Sequence, residues 1–174
     1  TYPAYLHILL RRIPLVVVLR EPLAVAGSLY ARNGFSLNRG LVLWWVYNHH
    51  IASHLCSEDL LLLYSDLLAI DDQSLQWCLG PFLELHKHPR PSEDQVRALI
   101  ATLIRPELNR SETAINDQSL ARIHPLLLET CNHAYKHIAT ASDKLTSYKE
   151  RFNSLPRAVL ECSSRDYLLS ESNL

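Results

Sequence analysis

The sequence predicts an α/β domain with few parallel strands and a mostly helical C-terminal part. Three observations carry that expectation. Residues 13–19 and 60–64 are short, wholly apolar runs of strand length, the pattern of strands covered on both faces in a parallel sheet. Helical patterns fill the interval between them, as a parallel crossover requires. Beyond residue 119, apolar residues recur at helical spacing as far as about residue 152.

The first twelve residues, TYPAYLHILLRR, read as a short amphipathic helix with Pro3 near its start. The first strand comes next, and then Arg20-Glu21-Pro22. Proline suits the first turn of a helix because the N–H it lacks is one the helix leaves unpaired, so a helix should run from Pro22 to about Arg32 and stop at Gly34. Between residues 37 and 55, Leu41, Trp44, Trp45, Ile51 and Leu55 mark a second amphipathic helix. The second strand ends in Tyr64, with Ser65 or Asp66 placed to cap the next element. Residues 73–83 look helical, 86–91 form a loop, and Ser92 with Gln95 is a capping-box pattern. A polar stretch over 105–117 precedes one long helix over 119–152, its seam facing the domain or a second copy of the chain. After Pro156 the sequence reads as a polar tail or linker. Residues 1–155 are thus expected to form the C-terminal part of one domain. Two strands cannot make a stable sheet alone, so further strands are expected to precede Thr1.

Composition excludes several partners. Of 174 residues, 48% are hydrophobic and 20% charged, and the net charge is -1, so no broad basic field addresses nucleic acid or an anionic membrane. No apolar run reaches the roughly 20 residues of a membrane span. Cys56, Cys78, Cys131 and Cys162 form no CxxC pair and read as buried thiols in a reducing compartment, which with the missing signal-peptide pattern points to the cytoplasm. The absence of any Met, and Thr at position 1, suggest a piece of a longer protein.

Arg20 holds the position with most chemical promise. It lies at the carboxyl end of an apolar strand, where open α/β sheets place ligands, and just before a helix N-terminus that favours anions. Its planar guanidinium matches phosphate oxygens, and Ser28 lies two helical turns on with a hydroxyl to donate. A plain ion pair between Arg20 and Glu21, with Ser28 as a small packing residue, fits the same pattern. His50 and His54 share zinc-like i, i+4 spacing, but no HExxH glutamate or third ligand accompanies them, so no metal is expected.

The segment REPLAVAGS, Arg20 to Ser28, resembles the 3′-phosphate-binding motif of the sulfotransferases: Arg, then Asp, Asn or His, then Pro, with Ser eight positions after the Arg. SLNRGLVLWWVYNHH is similar to the corresponding helix of bacterial sulfotransferase-like proteins, LLLYSDLL to the strand ending Tyr-Glu-Asp-Leu, and SLQWCLGPFLEL to the later Phe-Leu-Gly-Leu helix. The likeness covers residues 13–85 and weakens through RPELNR. It implies a P-loop-NTPase-like fold and a sulfotransferase using 3′-phosphoadenosine 5′-phosphosulfate (PAPS) as donor, with a hydroxyl or amine acceptor. Arg20 and Ser28 would hold the donor's 3′-phosphate, Tyr64 would lie near its adenine, and Arg110 would be a further basic contact.

The chain departs from the family at Glu21, which adds a carboxylate beside the phosphate, and at Ser65, where the family has Glu. The Gly-containing loop that grips the 5′-phosphosulfate, and the catalytic acid–base residue, are expected upstream of Thr1, so this chain alone would be inactive. Two other readings stay open: a P-loop kinase relative binding ATP, and a degenerate, non-catalytic interaction module.

Overall fold

In the computed structural model the described residues are 15–69, 72–85 and 117–164, with 87, 89, 92, 94, 95 and 98 between them. They form a mixed α/β structure, mostly helical, with a small parallel sheet. The chain packs as two compact units: Thr1–Leu19 with His54–Arg105, and Arg20–Ser53 with Pro106–Leu174.

The first unit holds the sheet. Strand β1 (Val16–Leu19) pairs in parallel with β2 (Leu60–Leu63), Val16 opposite Leu60 and Leu19 opposite Leu63. Asp59 ties the two strands at their start: its Oδ1 accepts from the Leu15 N–H at 2.8 Å, and its Oδ2 from the Cys56 N–H at 2.7 Å. The expectation that β1 is covered on both faces is not met. Leu19 is buried, but Val16 and Val18 remain 44% and 46% exposed. The period of two sends alternate residues to opposite faces, and among the described residues the face of Val16 and Val18 is the open one. Helix α3 (Tyr64–Ala69) begins where β2 ends, so Tyr64 is a helix residue rather than the last residue of a strand. Helix α4 (Asp72–Leu85) covers the predicted helical stretch and carries Pro81 within it. The capping box is present as reciprocal bonds, Gln95 N–H to Ser92 Oγ and Ser92 N–H to Gln95 Oε1. The expected N-terminal helix and the polar stretch with Arg110 lie outside the described residues.

The second unit is a helical bundle. Helix α1 (Pro22–Asn33) starts with Pro22 in its first turn and ends at Gly34, whose φ of 67° is the left-handed conformation that glycine adopts without penalty. Helix α2 (Leu37–Ala52) is capped by Ser36, whose Oγ accepts from the Arg39 N–H at 3.2 Å. It buries Leu41, Val42, Trp44 and Trp45.

The continuous helix expected over 119–152 is three helices: α5 (Asp117–Leu120), α6 (Pro125–Thr140) and α7 (Lys144–Arg151). Pro125 supplies the first break, since it cannot donate into a preceding turn and starts a new helix instead. Asp143 supplies the second by capping α7, its Oδ1 accepting from the Thr146 N–H at 3.0 Å. The apolar seam of Leu127, Cys131, Ala134 and Ile138 is buried within the chain's own unit, where α6 packs on α1, α2, α7 and α8 (Arg157–Cys162). The heptad-like spacing is therefore covered within the unit at these four residues. Helix α8 also occupies part of the expected polar tail, with Ala158, Val159 and Cys162 buried.

Asp143 gives the fold a pH-dependent element. Bonds from Thr146 hold its carboxyl below the ordinary value of 3.8. A lowered folded-state pKa adds stability that is present above the unfolded value and lost as pH falls through the folded one. Asp143→Ala should therefore lower the thermal midpoint at neutral pH, with the gap to wild type closing below 3.8. Paired melts at neutral and acid pH check this, and a gap unchanged in acid would refute it.

Among the described residues no helix is long and apolar enough to cross a membrane. Cys131 and Cys162 are buried thiols, and burial, with the neighbouring Cys162 second, pushes Cys131 up to about 12. Cys56, expected to be buried, is exposed because it sits in the turn before β2.

Candidate functional site

Arg20 directly succeeds β1 in the chain and opens the helical unit. Its side chain is half-buried. The next residue, Glu21, is extended (φ -52°, ψ 136°), exposed, and makes no side-chain cap on α1. The Glu21 carbonyl accepts from the Val25 N–H at 3.1 Å, the first turn of the helix. With proline at its start and no capping side chain, α1 leaves the Leu23 and Ala24 N–H groups without intrahelical acceptors.

The Arg20 carbonyl lies outside the α1 ladder and is taken by a side chain from 24 residues away. The Trp44 indole N–H donates to it at 2.9 Å. Trp44 is buried and stands edge-on to Phe152, with ring centroids 5.3 Å apart. Trp45 meets the same Phe152 ring at 5.0 Å and donates its own indole N–H to the Ser154 carbonyl. Asn48 braces the helix at this level. Its Nδ2 donates to the Trp44 carbonyl at 2.6 Å and its Oδ1 accepts from the Tyr148 hydroxyl at 2.7 Å. His49 donates from Nδ1 to the Phe152 carbonyl at 2.5 Å, which fixes its tautomer with the proton on Nδ1.

Ser28 is half-buried on α1, in the same unit as Arg20. Tyr64 is half-buried at the start of α3 and belongs to the other unit. Arg20 and Ser28 are thus carried by one body, joined through one helix, while Tyr64 is carried by another. Arg110 lies outside the described residues. His50 falls inside α2, but the helix ends at Ala52 and His54 lies in the turn beyond, so the two do not share one helical face. Among the described residues no three His, Cys, Asp or Glu side chains gather as a metal site.

Two of the clefts among the described residues of the helical unit are lined by neither Arg20 nor Ser28. One, of about 540 Å³, lies at the start of α2 between Tyr30, Ser36, Asn38, Ser119 and Arg122. Buried Asn38 shapes it by donating to the Arg122 carbonyl at 3.0 Å and accepting from the His124 N–H at 2.8 Å. The other, of about 450 Å³, is bounded by Trp45, Glu129, His133, Glu150 and Arg151. Sequence reasoning does not single out Trp44, Asn38 or Asn48 as site residues. Trp44 alone leaves a signal, because a tryptophan on a buried helix stripe must find an acceptor for its N–H.

No family model, curated protein or solved structure matches this chain.

Proposed function

We propose that the chain carries the 3′-phosphate-binding half of a sulfotransferase-like domain with a P-loop-NTPase-like fold. PAPS is the donor, and a hydroxyl or amine is the acceptor. The observation that supports this reading most is the turn from Arg20 into α1. It presents a half-buried arginine, a helix start with open N–H groups and a hydroxyl two turns along the same helix. The order of sulfotransferase-like motifs along the sequence adds to it.

The residues present suit such a ligand. Arg20 offers a bidentate donor, Ser28 a hydroxyl, and the uncapped N-terminus of α1 its N–H groups and dipole. Glu21 brings no capping bond to this helix start and is exposed. The donor supplies the sulfuryl group when bound; the part of this chain is to bind and orient the nucleotide by its 3′-phosphate. Fixing that end restricts the geometry of an in-line transfer, which proximity catalysis requires.

Calorimetry with adenosine 3′,5′-bisphosphate tests the reading. Arg20→Ala should weaken binding by about tenfold to a hundredfold, the scale of a lost charge-assisted contact. Equal affinity for the variant and wild type would overturn the assignment, and a preference for ATP over the bisphosphate would favour a kinase relative.

A further inference from the structure

We infer that Trp44 is the positioning residue for Arg20, setting the direction in which that arginine addresses an anion. The inference rests on the 3′-phosphate reading of Arg20 and adds to it the group that holds the arginine in place.

The Arg20 carbonyl is the last acceptor before α1, whose own ladder begins at Glu21. In a free loop this peptide would rotate about ψ of Arg20, swinging the arginine relative to the helix start. The Trp44 N–H removes that freedom with a 2.9 Å bond to the carbonyl. Trp44 is itself immobilised twice. It is 3% exposed with its ring set edge-on to Phe152, and its carbonyl accepts from Asn48. A buried donor of this kind costs free energy if its acceptor moves away, so the carbonyl and the indole hold each other. An arginine on a fixed backbone has less main-chain freedom to lose when it takes a phosphate, which raises affinity without adding a contact. Trp45, the neighbouring tryptophan, meets the Trp44 ring edge-on at 6.2 Å but sends its own N–H to Ser154, not to Arg20. The two adjacent indoles therefore separate the positioning role from general aromatic packing.

The test uses the full chain and two ligands, adenosine 3′,5′-bisphosphate and adenosine 5′-monophosphate. The ratio of their affinities isolates what the 3′-phosphate contributes. Trp44→Phe retains an aromatic ring against Phe152 and removes the donor. It should reduce the ratio by about five- to tenfold, the scale of one hydrogen bond, with affinity for the monophosphate unchanged. Trp45→Phe should leave the ratio as in wild type. In the unmutated chain the Trp44 indole ¹⁵N–¹H resonance should shift on adding the bisphosphate and stay in place with the monophosphate. That measurement stands even where Trp44→Phe fails to fold. A ratio unchanged in Trp44→Phe but lost in Arg20→Ala would overturn the role of Trp44 and leave the 3′-phosphate reading intact. Equal loss of both ligands would reduce Trp44 to a packing residue. A ratio that survives Arg20→Ala would overturn the 3′-phosphate reading, and this inference with it.

Discussion

Phe152→Ala is expected to destabilise the helical unit by about 3–5 kcal/mol, the range for emptying a buried aromatic site. Phe152 is fully buried and meets three rings, Trp44 at 5.3 Å, Trp45 at 5.0 Å and Tyr148 at 4.8 Å between centroids. The cost of such a deletion depends on how far the surroundings collapse into the gap, and here each neighbour is held from elsewhere. Trp44 is tied to Arg20, Trp45 to Ser154 and Tyr148 to Asn48. The cavity stays open, which places the effect toward the upper end of the range. Phe152→Leu refills part of the volume and should cost less than half as much. Urea unfolding reads both variants as lower midpoints at constant slope. An alanine variant within about 1 kcal/mol of wild type would show that the cluster relaxes freely, contrary to the bonding pattern.

Local chemistry made part of this fold legible. Pro22 and Gly34 bracket α1 as their backbone preferences require, and the two apolar runs do pair in parallel. The errors have physical origins. Apolar runs reveal that a strand has a buried face, but the exposure of Val16 and Val18 depends on what packs on the other face, which no local pattern encodes. Successive helices of a bundle all turn an apolar stripe inward, so the repeat from Leu120 to Leu145 runs on through two helix breaks. Pro125 is the available signal for the first, and Asp143 for the second. At the candidate site, Arg20 and Ser28 are visible because their spacing is local. The Trp44 bond to Arg20 joins residues 24 positions apart, and Asn48 meets Tyr148 across 100. Such pairs exist only once α1, α2 and α7 have packed.

Gly40→Val should destabilise the same unit by about 3 kcal/mol, because two helices approach at this residue too closely for a side chain. A Cβ built on Gly40 falls 2.6 Å from the Ala26 Cα and 2.8 Å from its Cβ. The nearest atom is backbone, so no rotamer change relieves the clash; α1 must move away from α2. Gly40→Ala makes the sharper experiment because two effects oppose. Replacing a glycine in the first turn of α2 by alanine contributes at most about 1 kcal/mol through helix propensity. The 2.6 Å approach works the other way, and since it displaces a whole helix it should win, leaving Gly40→Ala less stable than wild type. Ala26→Gly removes one of the two closest atoms, so the double variant should recover part of the loss in a double-mutant cycle. The displacement also bears on function, since Ala26 lies between Arg20 and Ser28 on the chain and α1 carries Ser28. Gly40→Ala should therefore weaken binding of adenosine 3′,5′-bisphosphate at temperatures where the protein remains folded. A melting temperature raised by Gly40→Ala would mean that α1 yields to the new methyl at little cost, and Ser28 would then not be held rigidly relative to the Trp44–Arg20 anchor.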